Sequence, residues 1–135
     1  MVTLIRSALV LVLAIAAAPI RAMEGDPEAG ERAFRPCLTC HIAEPGVDSP
    51  RAGPNLHGVL GRRAAAQEGV AYSDALRTAG TAGLVWDTET LTAYLQDPVG
   101  FLRAYLGDPT ARGRMLVRVR SPQDARDILA YLSTQ

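Results

Sequence analysis

The stretch Arg35–His41, "RPCLTCH", constrains this chain more than any other feature. The 135 residues contain two cysteines, placed three positions apart with a histidine directly behind the second. Two thiols and an imidazole at that spacing serve redox exchange, a metal ion or a covalently held cofactor, and each use needs different residues elsewhere. As a disulfide, Cys37–Cys40 would staple very little, because stabilisation by loop closure grows with loop length. The company the motif keeps therefore decides what the chain folds around.

The compartment is set at the amino terminus. "MVTLIRSALVLVLAIAAAPIRA" has one early charge at Arg6, an apolar run from Ala8 to Ala18 and small residues leading to Ala22, the pattern of a secretory signal. The run is short for a membrane span, which takes about 20 apolar residues, so an uncleaved anchor is the minor reading. Residues 1–22 are expected to be the signal and residues 23–135 one domain, since removing 22 of 135 residues leaves 113. All fourteen basic residues are arginine. Twelve of these against fourteen acids give the mature chain a formal charge near −2, which offers no case for nucleic-acid binding.

Along the domain the helix signals are short. Asp26 as N-cap and Pro27 behind it predict a first helix running to the cysteine motif. From Ile42 to Gly69 the chain is rich in Gly and Pro and reads as ordered loop with room for one helical turn. "TETLTAYLQDP" predicts a helix capped by Thr88 and stopped by Pro98, with Leu91, Tyr94 and Leu95 on one face. "DPVGFLRAYLGDP" adds a further short helix. "SPQDARDILAYLSTQ" closes the chain with Ser121 as N-cap and Ile128, Leu129, Tyr131 and Leu132 as the apolar stripe. Strand alternation is nowhere sustained, so the fold class is all-α. Short helices joined by so long a loop need something else to organise them, and a large buried cofactor would do it.

That need separates the readings of the motif. A redox pair of the thioredoxin kind wants strands, which are missing, and structural zinc wants four ligands where one pair is available. Covalent attachment of haem c needs this pattern and no more. On one helical turn Cys37, Cys40 and His41 stand at i, i+3 and i+4 and face one side, so two sulfurs can hold the porphyrin while His41 reaches the iron. For a second axial ligand the domain offers Met115, in the polar segment "TARGRMLVRV", or His57, in the Gly-rich "GPNLHGVLGR". A lone methionine is often core filler, and a histidine in such a loop more often ties turns together through hydrogen bonds.

The blocks "GDPEAGERAFRPCLTCH", "GPNLHGVLGRR", "AYSDAL", "TLTAYLQDP" and "DARDILAYL", in this order, resemble a class I cytochrome c, in particular the bacterial cytochrome c2 branch. The resemblance implies a cytochrome c fold of short helices and long loops packed around one covalent haem c. It implies iron ligation by His41 and Met115, with the Pro54 carbonyl accepting the proximal imidazole hydrogen bond. It further places Tyr72 and Trp86 at a haem propionate, Arg62 near it and Tyr94 on the methionine side, leaves His57 structural, and brings Gly30 and Phe34 against Ile128 and Tyr131. The segment between Pro98 and Met115 is longer than in mitochondrial relatives. Leu76 stands where the family commonly has Asn, and Gly113 where Thr often precedes the methionine.

With both axial positions filled by protein, the expected function is single-electron carriage by a soluble periplasmic monomer, not catalysis. Partners implied by the resemblance are membrane-bound complexes: a cytochrome bc-type donor, and a photosynthetic reaction centre or terminal oxidase as acceptor. An arginine patch of Arg103, Arg112, Arg114, Arg118 and Arg120 would meet them. Two alternatives remain open at this point, an open-site haem enzyme or gas-binding domain with a labile Met115, and a cytochrome subunit of a larger periplasmic oxidoreductase.

Overall fold

A computed structural model of the protein describes residues 25–135, so the expected secretory signal, residues 1–22, and Met23 lie outside the described residues. Within them run α1 (Pro27–Phe34), a 3-10 turn (Arg35–Thr39), α2 (Asp74–Thr81), α3 (Thr88–Gln96), α4 (Pro98–Leu106) and α5 (Pro122–Leu132). Among the described residues β-pairing is limited to two isolated bridges, Ile42 with Asn55 and Arg63 with Val85. The all-α expectation holds.

Most helix starts follow the sequence signals. Asp26 accepts from the Glu28 and Ala29 amides, and Ser121 from the Asp124 amide, each with proline in the first turn. The cap of α3 is Asp87, not Thr88: Asp87 Oδ1 accepts from the Thr90 amide at 2.7 Å while Thr90 Oγ1 accepts from the Asp87 amide at 2.9 Å. That reciprocal pair requires the residue three before Thr90. Helix α2 is an addition, since the sequence signals above assign no helix to it; Ser73 caps it through the Leu76 amide at 3.2 Å. Asp97 closes α3 and opens α4 through the Gly100 amide, which lets two helices meet without a loop.

The scaffold is the crossing of α1 with α5. A Cβ on Gly30 would collide with the Asp127 carbonyl and lie 2.9 Å from Tyr131 Cβ, so only glycine permits this approach. The Asp127 backbone comes nearest at that contact, Ile128 is buried in the same core as Phe34, and Phe34 and Tyr131 meet as expected with ring centroids 5.5 Å apart. The Asp127 carboxylate is buried and accepts from the Asp26 amide and from Gln123 Nε2, both at 2.8 Å, which closes the helix pair at its edge. Phe34, Leu84, Leu102 and Ile128 are almost wholly enclosed. Each such side chain contributes about 1.5–3 kcal/mol of burial.

No helical turn forms between Ile42 and Gly69. Asn55, 5% exposed, organises this stretch. Its Nδ2 donates to the Glu44 and Val47 carbonyls at 2.7 Å each, and its Oδ1 accepts from the His57 amide at 2.9 Å and the Glu44 amide at 3.3 Å. Gln67 grips the Asn55 main chain from the other side, through Oε1 to its amide and Nε2 to its carbonyl. A long loop without secondary structure is thereby held from within.

Candidate cofactor site

The first 3-10 turn begins the site. Pro36 has no amide to continue an α-helix, and the chain tightens so that both the Cys40 and His41 amides donate to the Cys37 carbonyl, at 3.0 and 2.9 Å. The turn is therefore not the α-helical one expected from the spacing, yet Cys37, Cys40 and His41 still line one cavity, of about 550 Å³. Such a volume lies within the about 300–1,000 Å³ usual for ligand sites. The same cavity is lined by Pro54, Arg62, Tyr72, Trp86, Tyr94 and Met115, so the residues that the resemblance assigns to the cofactor converge on it, Met115 included and His57 not.

His41 is fixed by its second shell. Its Nδ1 lies 2.9 Å from the Pro54 carbonyl oxygen. A carbonyl only accepts, so Nδ1 carries the proton and Nε2 keeps its lone pair. Burial lowers the His41 pKa, against the Pro54 contact that raises it, and so favours the neutral ring. Gly53 leaves room for this: a Cβ there would run into the His41 ring. Burial likewise pushes the Cys37 thiol up.

Met115 arrives on an arch pinned at both ends. Arg103 Nε donates to the Ala111 carbonyl at 3.1 Å on one side; on the other, Arg118 pairs with Asp97 at 2.9 Å and the Val119 amide donates to the Leu95 carbonyl at 2.8 Å. Two of the five patch arginines, Arg103 and Arg118, are thus structural pins as well as surface charges. Arg112 and Arg114 are exposed, and both border an open groove of about 730 Å³ beside α2, with Arg114 also reaching the cavity rim.

The polar wall is ordered from the loop side. Arg62 donates from Nη1 to the Asn55 carbonyl at 2.8 Å and from Nη2 to the His57 carbonyl at 2.5 Å. Burial raises the Tyr72 pKa, with Arg62 nearby opposing it. Tyr94 is pushed up to about 12 by burial, and among the described residues its hydroxyl has no hydrogen-bond partner. Leu76 makes part of the apolar wall where an Asn would have been polar.

His57 departs from its expected role. It does not line the cavity, and its ring does not tie the turns together, since among the described residues its buried Nδ1 has no partner. Only its main chain is held, by Asn55 and Arg62. The sequence also passed over Arg63, Leu56 and Val59, which complete the wall; the adjacent pair Arg62–Arg63 was the one available signal. An imidazole nitrogen with a free lone pair, a thioether, two thiols and a mostly apolar lining are a donor set that fits covalent haem c.

No family model matches the chain. Cytochrome c2 of Rhodovulum adriaticum is 48% identical over 121 residues, covering 83% of this chain and 94% of its own length. Cytochrome c-551 of Roseobacter denitrificans is 47% identical over 132 residues, covering 94% of this chain and 92% of its own. Among solved structures, cytochrome c2 from Rhodobacter sphaeroides matches with a TM-score of 0.76 at 42% identity, covering 82% of this chain and 96% of that one.

Proposed function

Because the chain belongs to the cytochrome c2 family, we propose that its cavity holds one haem c, bound through Cys37 and Cys40 and ligated by His41 and Met115. The protein would then carry single electrons between membrane-bound redox complexes of the periplasm. The observation that carries this reading is the Pro54 contact at 2.9 Å, which leaves His41 Nε2 free in the cavity that Cys37, Cys40 and Met115 also line.

Bound there, haem c supplies a one-electron Fe(III)/Fe(II) couple. The chain's own residues set its terms. Cys37 and Cys40 would hold the ring covalently through two thioethers. His41 offers a strong nitrogen donor whose orientation Pro54 holds, and the soft Met115 thioether favours Fe(II) and raises the potential. Because His41 and Met115 would both be given to the iron, this chain offers no side-chain arrangement for a substrate there, and the reading is a carrier rather than an enzyme. Arg62, Tyr72 and Trp86 supply the polar wall assigned to a propionate, and Tyr94 the wall on the methionine side. Residues 1–22 act as the export signal, removed after Ala22.

Partners are reached through the arginines near Met115, and Arg112, Arg114 and Arg120 are the three free of the pins, the first two bordering the open groove. A cytochrome bc-type donor and a reaction centre or terminal oxidase would present acidic faces to them. Such brief encounters depend on steering more than on tight binding. Stopped-flow oxidation of the haem-loaded protein by an acidic-faced partner should slow as the Debye length falls from about 30 Å at 0.01 M to about 10 Å at 0.1 M salt. Charge reversal at Arg112 and Arg114 should slow it at low salt and leave the potential in place. A rate indifferent to both changes would refute the docking assignment.

A further inference from the structure

Residues 112–118, the crown of the arch that carries Met115, make no main-chain hydrogen bond among the described residues. Main-chain bonds resume only at Val119, whose amide reaches the Leu95 carbonyl. Met115 itself packs against the core, but Leu116 and Val117 behind it are 74% and 61% exposed and hold the chain through little packing. Among the described residues the one polar tie within the crown is Arg118, with Nη2 2.9 Å from Asp97 Oδ1.

Asp97 is itself seated from several sides. Its amide donates to the Ala93 carbonyl at 3.2 Å and closes α3. Its Oδ1 accepts from the Gly100 amide at 3.1 Å and opens α4, and the same oxygen meets Arg118. The next residue, Pro98, is almost wholly enclosed. A Cβ on Gly100 would strike Asp97 Oδ2, so glycine there leaves the carboxylate its place. A helix cap needs an acceptor oxygen, which asparagine supplies as well as aspartate. The tie to Arg118 needs the negative charge.

We propose that Asp97 is a positioning residue for Met115: its carboxylate, acting through Arg118, holds the returning limb of the arch and so keeps the thioether in the cavity. Groups that orient an axial ligand govern how firmly it stays on the metal. An exposed ion pair adds little to the stability of a whole domain. Here it acts on a segment with no other polar tie, so its effect falls on whether Met115 stays or gives way. The inference rests on the haem reading of the cavity, with Met115 as axial ligand.

The test titrates the ferric haem-loaded protein with imidazole, which takes the iron only as Met115 leaves it, and follows the loss of the methionine charge-transfer band. Asp97→Asn keeps the cap oxygen and removes the charge, so its imidazole affinity should rise about two- to fivefold, the span that one exposed ion pair yields. Arg118→Gln should match it, and the double variant should go no further than either single change. Arg118→Lys keeps the cation and should return to the wild-type value. Salt at about 1 M, where the Debye length is about 3 Å, should bring the wild type toward Asp97→Asn and leave that variant unmoved. Wild-type imidazole affinity in Asp97→Asn, a double variant equal to the sum of the singles, or Arg118→Lys behaving as Arg118→Gln would overturn the proposal alone. Ferric wild type without the band, or purified without covalent haem, would overturn the cavity reading and this proposal with it.

Discussion

Asn55→Ala is the substitution that most sharply tests how the loop holds the site. The side chain makes four hydrogen bonds, three of 2.7–2.9 Å and one of 3.3 Å, and all four main-chain groups lose their partner together. The grips of Gln67 and Arg62 fall on the Asn55 main chain and survive, so the change isolates the side chain. At about 0.5–1.5 kcal/mol net for each bond, with the long one contributing least, the loss comes to about 2–4 kcal/mol. Whole-domain stability is about 5–15 kcal/mol, so the change is large. Guanidinium unfolding of the haem-loaded protein, followed through the single Trp86, should show a lower midpoint at unchanged slope. The Leu56 amide, which donates to the Ile42 carbonyl at 2.7 Å beside the Pro54–His41 contact, should exchange faster with solvent deuterium. A loss below about 0.5 kcal/mol, the range of ordinary surface substitutions, would refute the reasoning and assign the loop's order to the cofactor instead.

The double change Cys37→Ala and Cys40→Ala should abolish haem staining after denaturing electrophoresis, with either single change leaving at most one thioether; covalent haem in the double variant would contradict attachment at this motif. Folding raises the Tyr94 pKa from 10.0 to about 12, so the folded state holds that proton more tightly than the unfolded chain. Its contribution is complete below the unfolded value and is lost as pH rises through that window. Tyr94→Phe should accordingly lose less stability than wild type across those two units in parallel unfolding titrations.

Legibility from sequence followed the range of the interactions. Asp26 with Pro27 and Ser121 with Pro122 act within one turn, and both helix starts were readable. Helix α2 was not, because its buried face is built from Ala75, Ala79 and Gly80, too small to make an apolar stripe. Gly80 is there for contact, since a Cβ would strike the Ala64 carbonyl. The cysteine motif is local in spacing, so covalent attachment could be proposed from sequence even though the turn proved to be 3-10. The Asn55–Gln67 clamp spans twelve residues with no period to betray it. His57 was misjudged for a related reason: residue type says that an imidazole can bond, not that a partner arrives. The pairing of Asp97 with Arg118 depends on how the arch returns past α4, which no local pattern encodes.

The central claim is axial ligation by His41 and Met115, and the visible spectrum of the haem-loaded protein in both redox states tests it most directly. The wild type and His57→Ala should both be low-spin and show the ferric charge-transfer band of a methionine sulfur on iron, while Met115→Ala should lose that band and bind carbon monoxide once reduced. A band that survives Met115→Ala but disappears in His57→Ala, or ready carbon monoxide binding by the reduced wild type, would contradict the account.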